Sequence, residues 1–177
     1  MNFICVFSSI FLTFSLLQHF MRGKPAPKRK IEPDLKYNSV EIAKFINLIM
    51  KGGKKSLAAK ILYGCFDIIG EKTKKDPLEI FQKAIKNASP LIEVRSRRVG
   101  GGNYQIPTPT NENRRFVLAS RWIIESARSK RGKSMTEKLA QELIETSENQ
   151  SNAIKKKDDV HRMAEANKAF AHFARFH

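Results

Sequence analysis

Six stretches of this chain repeat apolar residues at three- and four-residue intervals, the spacing that lines one face of an α-helix. The first begins near Asn38, whose distance from Glu41 fits a capping box, and sets Ile42, Phe45, Ile46 and Ile49 against Glu41, Lys44 and Lys51 before Gly52-Gly53 ends it. The second runs from about Ser56 to Lys72 with Leu57, Ile61, Cys65 and Ile68 inward. Asp76-Pro77 opens the third, an N-cap followed by proline at the first helical position, with Leu78, Phe81, Ile85 and Ala88 as its stripe. Asn113 can cap a fourth helix carrying Phe116, Ser120, Ile123 and Ala127, which Gly132 terminates. Ser134 to Ser147, with Met135, Leu139 and Leu143 inward, and about Ala153 to His172, with Val160, Met163, Asn167 and Phe170, complete the set. Short connections and the lack of a solenoid period predict a mainly α fold, a compact bundle of about six helices.

The pattern changes between the third and fourth helices. Leu91 to Val99 is rich in β-branched and apolar residues and holds Arg95, Arg97 and Arg98; Gly100-Gly101-Gly102-Asn103 follows, then Tyr104-Gln105-Ile106-Pro107-Thr108-Pro109. Period-two alternation around a glycine-rich reversal predicts a β-hairpin over 91–110. Pro107 and Pro109 cannot donate to a ladder, so the second arm is an edge. A two-stranded ribbon is marginally stable alone, so one that protrudes from a helical body is expected to dock on a partner. Its arginines point to a polyanion.

Charge supports that. Lys and Arg number 33 against 17 Asp and Glu, giving +16, and none of it falls on residues 1–20. Such an excess repels itself in the folded state and fits a nucleic-acid or anionic-membrane partner. At 41% hydrophobic, the chain still has the means to build one core. Two cysteines make no disulfide framework, and Cys65 sits in an apolar stripe, which fits a reducing compartment.

Residues 1–20 are an apolar extension, expected to be absent from the mature protein: Phe3 to Leu17 is short for a membrane span, and no basic residue precedes it. An N-terminal anchor is the rival reading. Residues 21–37 read as a flexible basic arm holding Arg22, Lys24, Lys28, Arg29 and Lys30 between prolines, and 38–177 as the helical RNA-binding domain.

Basic clusters recur at element ends: Lys51, Lys54 and Lys55 around two glycines, Arg114-Arg115 at a helix start, Arg121 beside Trp122, Arg128 with Lys130, Arg131 and Lys133 in a loop, and Lys155, Lys156 and Lys157 before the final helix, which carries Arg162. Arginine can fork two hydrogen bonds to one phosphate, and Tyr104 and Trp122 are candidates for stacking on a base. Catalytic readings find no support. His161 and His172 have no cysteine at a zinc-ligand spacing, and Gly132-Lys133-Ser134 resembles the end of a P-loop but has Ala127 where that motif needs glycine. Asp158-Asp159 is expected at the start of the last helix, complementing its dipole, with Asp158 spaced to pair Arg162. No cofactor, metal or enzymatic activity is expected.

Several strings together resemble a known family. Lys54-Lys55-Ser56, Ser96-Arg97-Arg98-Val99-Gly100-Gly101, Arg121-Trp122-Ile123, Lys133-Ser134-Met135 and the run Val160 to His172 are similar, in unbroken order from Arg22 to His172, to bacterial-type small-subunit ribosomal protein seven. The resemblance implies a helical domain with a protruding hairpin that binds the 3′ major domain of small-subunit rRNA and nucleates assembly of the subunit head. It implies a place at the subunit interface near exit-site tRNA and mRNA, a neighbour in small-subunit ribosomal protein eleven, a single copy per ribosome, and no membrane. It carries RNA contacts onto the arm, the loop after the first helix, the hairpin and the later loops, the clusters named above. The expected location is the cytoplasmic ribosome, with an organellar ribosome left open. Two departures stand out: the extension before Met21 has no counterpart, and the chain ends Phe173-Ala174-Arg175-Phe176-His177 where the family carries a Tyr-Arg-Trp type continuation.

Two other classes compete. A helix-turn-helix DNA regulator would turn at Gly52-Gly53, but Leu57, Ile61 and Ile68 make the following helix core-facing. A membrane-surface protein would anchor by residues 1–20 and lay its basic arm on anionic lipid.

Overall fold

Asp76 shows how local chemistry starts an element here. Its carboxylate accepts from Leu78 N at 3.0 Å while Pro77 supplies a fixed φ at the first helical position, so the helix begins where the sequence says it should. The computed structural model describes residues 26–27 and 29–175, with the side chains of 174 and 175 left aside, and the fold lies in the unit Pro33–His177. Its helices are α1 (Val40–Ile49), α2 (Lys55–Thr73), α3 (Pro77–Ala88), α4 (Glu112–Ser129), α5 (Met135–Ser147) and α6 (Asn152–Ala166), followed by a 3₁₀ segment, Lys168–Arg175. Strands β1 (Ile92–Val99) and β2 (Gly102–Pro109) form an antiparallel hairpin between α3 and α4. The mainly α architecture with one inserted hairpin is the expected one.

The core is built on three rings from α1, α2 and α3. Phe45 and Phe66 each meet Phe81 edge-on, with centroids 5.0 and 5.8 Å apart, and all three are buried. Ile123 of α4 with Leu139 and Leu143 of α5 closes the other side. Each such side chain contributes about 1.5–3 kcal/mol by leaving water, so this cluster, more than helix propensity, holds the bundle.

Four helix expectations need correction. Asn38 does not cap α1; Ser39 holds the N-cap position, and Asn38 adopts φ 47° in a loop closed by its N–H on Asp34 O at 2.8 Å. Asn113 does not cap α4 either. Asn111 precedes that helix, and Asn113, already inside it, accepts from Lys44 Nζ at 3.1 Å. The buried face of α2 is Ala58, Leu62, Cys65, Phe66 and Ile69, about one residue round from the expected stripe, because Phe66 must reach the aromatic core; Leu57 is left 51% exposed. The last helix stops at Ala166. There the Asn167 side chain and N–H both donate to Met163 O, and the chain tightens to 3₁₀ as Phe170 and Phe173 close on Tyr104 of the hairpin, with Met163 exposed.

That same helix starts at Asn152, within one residue of the expected Ala153. Ser151 caps α6, accepting from Ile154 N at 3.3 Å, so Lys155, Lys156 and Lys157 lie within the helix and Asp158-Asp159 sit mid-helix, away from the positive end of its dipole. Asp159, not Asp158, pairs with Arg162, one turn on at i,i+3. Ser134 caps α5: its Oγ accepts from Glu137 N at 3.4 Å and donates to Glu137 Oε1 at 2.7 Å.

The hairpin reverses over Gly100 and Gly101, at φ 56° and 91°, the pair of positive angles a two-residue primed turn needs; Gly102 already pairs with Val99. Thr110 N donates to Leu91 O, and the alternation counted from that pair puts Pro107 and Pro109 at non-hydrogen-bonded positions, where a missing N–H costs nothing.

Candidate nucleic-acid interface

The folded chain sorts the cations into those turned to solvent and those spent inside. Lys51, Lys54 and Lys55 are exposed around the α1–α2 turn. With Arg128 of α4, the first two rim a groove whose floor is Ile49, Met50, Leu57, Ile61 and Met135, so the apolar surface that the core leaves uncovered on α2 lies beneath positive charge. Arg128 is held there by donating to Ile49 O at 3.0 Å, which also satisfies a carbonyl at the end of α1.

A second group gathers at the hairpin base. Glu93, 6% exposed, accepts from Arg95 on the same strand through Oε1 and from Arg114 Nε at 3.0 Å through Oε2. Burial pushes the Glu93 carboxyl up, but hydrogen bonds and charge from Arg114 and Arg95 outweigh it and hold the group below the usual carboxylate range. His161 of α6 accepts from Leu91 N at 3.2 Å, a second tie between the hairpin and the helices. Arg97 is half-buried opposite Tyr104, and Arg98 is exposed near the turn.

Other candidates are spent within the fold. Lys130 donates to Glu145 Oε2 at 2.6 Å and lies 2.8 Å from Oε2 of the buried Glu142, outside the direction a hydrogen bond needs. Burial pulls the Lys130 ammonium down, yet the two carboxylates win and its pKa is raised. Lys157 donates to Asn87 O at 2.7 Å, where Asn87 in turn donates to Thr146 O and Ser147 O. That set of bonds stitches together the ends of α3 and α5 and the first half of α6. Lys156 pairs with Glu125 at the surface. Trp122 is half-buried against the core, and Tyr104, 37% exposed, has its ring against Phe170 and Phe173 at 5.2 and 5.9 Å. Arg29, Lys30, Arg121, Arg131, Lys133 and Lys155 are exposed, and Arg115 is half-buried. Arg22, Lys24 and Lys28 lie outside the described residues.

Sequence reasoning missed Glu93 as part of this surface and the tie that His161 makes to Leu91. Glu93 did leave a signal: in a strand it shares a face with Arg95, two residues on. Among the described residues no cluster of His, Cys, Asp or Glu could hold a metal ion, and no helix is long and apolar enough to cross a membrane. Burial raises the Cys65 thiol to about 12, which leaves it inert packing.

These features define a class: a helical scaffold that displays fixed cations along loop ends and a hairpin. Comparison with known proteins makes it specific. The family model for ribosomal protein S7p/S5e matches residues 21–168. The chain is 58% identical over 152 residues to the small ribosomal subunit protein uS7 of Caldanaerobacter subterraneus subsp. tengcongensis, covering 86% of this chain and 97% of that protein. It is 58% identical over 153 residues to the uS7 protein of Thermotoga maritima, covering 86% and 99%, and 57% identical over 152 residues to that of Dechloromonas aromatica, covering 86% and 97%. The chain belongs to the ribosomal protein S7 family, and as such is a structural, non-enzymatic constituent of the small ribosomal subunit.

Proposed function

We propose that this protein binds the 3′ major domain of small-subunit rRNA directly and nucleates assembly of the subunit head. The observation that carries the reading is the separation of its cations. Lys51, Lys54 and Lys55 at the α1–α2 turn and Arg95 and Arg114 at the hairpin base are held at the surface by elements whose own core is complete without them. A fold gains nothing from fixing like charges side by side unless a polyanion answers them. The basic arm at 21–37 adds phosphate contacts. The hairpin faces exit-site tRNA and mRNA in the assembled subunit, and ribosomal protein eleven is the neighbouring protein.

The test is a binding titration of the purified full chain on 3′ major domain RNA, with chemical footprinting. Contact with six to ten phosphates lowers affinity by about 10³ to 10⁵ between 50 and 200 mM salt. Salt-independent binding, or a footprint no stronger than on an unrelated structured RNA, would overturn the proposal.

A further inference from the structure

A carboxylate at the base of a hairpin that is otherwise cationic is repulsive to RNA unless it does something for the cations around it. Glu93 is positioned to do so. It is nearly sealed from solvent, while the two guanidinium groups it holds have side chains 53% and 43% exposed, so its charge is hidden and theirs is not. One oxygen takes Arg95 and the other takes Arg114 through Nε, which leaves the terminal nitrogens of Arg114 without a protein partner among the described residues. Two guanidinium groups fixed by opposite oxygens of one carboxylate are both held within reach of that single carboxylate, although their mutual repulsion would otherwise drive them apart. The strand and the helix that carry them come together only in the fold: Glu93 and Arg114 are separated by the whole hairpin.

We propose that Glu93 is the positioning residue of a phosphate seat, in which Arg95 and Arg114 together grip one backbone phosphate of the RNA. The inference rests on the RNA-binding reading above. Arg95 and Arg114 make the contact; Glu93 acts through them and touches no ligand. A role confined to tying the hairpin to α4 would leave the salt dependence of binding and its coupling to Arg114 unchanged.

Two charge-matched variants separate the possibilities. Glu71 on α2 is exposed and far in sequence from the hairpin, so Glu71→Gln and Glu93→Gln change net charge equally. Bulk electrostatics makes both bind RNA slightly more tightly. The seat requires Glu93→Gln to bind about tenfold more weakly, since a charge-assisted hydrogen bond is worth roughly that or more. It also requires that penalty to vanish when Arg114 is already alanine. Amide exchange at the hairpin reports whether Glu93→Gln has loosened the strands; Arg114→Lys, which keeps charge and ion pair but loses the fork, provides a variant that leaves the tie in place and is expected to weaken binding severalfold. Glu93→Gln binding as tightly as Glu71→Gln, or Arg114→Lys binding like the wild type, overturns the seat. Loss of salt-dependent RNA binding by the wild-type chain overturns instead the function on which it rests.

Discussion

Replacing Lys130 with methionine tests whether a cation that the sequence assigns to RNA belongs to the core. Its ammonium is the only positive group found beside Glu142 among the described residues, and Glu142 is 0% exposed with neither oxygen hydrogen-bonded. Removing Lys130 strands that carboxylate, buried and without a hydrogen-bond partner. Breaking one side of a buried pair costs about 3–5 kcal/mol, because the survivor must stay charged without a partner or take up a proton. At roughly 3 °C of melting temperature per kcal/mol for a chain of this size, Lys130→Met should melt about 9–15 °C below the wild type. Replacing both partners, as Lys130→Met with Glu142→Met, should recover most of the loss, since two apolar side chains need no partner. Urea and thermal unfolding followed by circular dichroism measure both. RNA affinity, taken well below the melting temperature, should keep its salt slope. A Lys130→Met variant that melts within about 2 °C of the wild type, yet shows a reduced salt slope, would refute the reasoning and return Lys130 to the binding surface.

The other expectations concern caps, turns and protons. Asp76→Ala removes the oxygen that receives Leu78 N and should cost about 1 kcal/mol in urea unfolding without touching RNA affinity. Gly101→Val places a branched side chain at φ 91°, so amide protection along β1 and β2 should drop while the helical signal holds. The carboxyls of Glu93 and Glu145 are both held below their usual range in the fold, Glu145 by hydrogen bonds and charge from Lys130 that outweigh its burial. Their stabilising effect is therefore complete above the ordinary carboxylate pKa and is lost as pH falls through the lower folded values. Lys130 is shifted up, so its contribution persists until the pH rises past the ordinary lysine range and vanishes above the folded value. Melting temperature against pH should accordingly fall at both ends, and Glu145→Gln should flatten the acid limb; an unchanged acid limb would contradict the assignment.

Some features decided within one turn of chain are legible in the sequence, though not all: the spacing points to Asn38 and Asn113 as caps where Ser39 and Asn111 hold those positions. Asp76-Pro77 and the paired glycines of the hairpin announce their structures because the partner atoms are two to four residues away. The face of α2 was not legible. Leu57, Ile61, Cys65 and Ile68 form one helical stripe and Ala58, Leu62, Phe66 and Ile69 another beside it; rings from elsewhere in the chain, Phe81 and Tyr37, meet Phe66 and favour the second, with Cys65 buried at the border of the two. The end of α6 was likewise set from outside, by an aromatic contact with Tyr104 some sixty residues earlier in the chain.

The same distinction governs the site. Counting cations found the surface but could not divide it, because whether a lysine faces RNA or the core depends on where an acid lies. Lys130 and Lys133 sit in one basic loop, yet Glu142 and Glu145 turn the first inward and leave the second exposed. Arg95 and Arg98 lie on one strand, yet only Arg95 shares a face with Glu93, which fixes its guanidinium at the surface. In a chain with 17 acids against 33 bases, the buried acids are the scarcer group and the more discriminating one. A sealed carboxylate that draws a largely covered cation inward removes that cation from the surface; one that is sealed while its cations stay exposed aims them. That difference lies in exposure across contacts between elements, a quantity no linear reading of charge contains, and it separates Glu142 from Glu93 although both are buried glutamates beside a base.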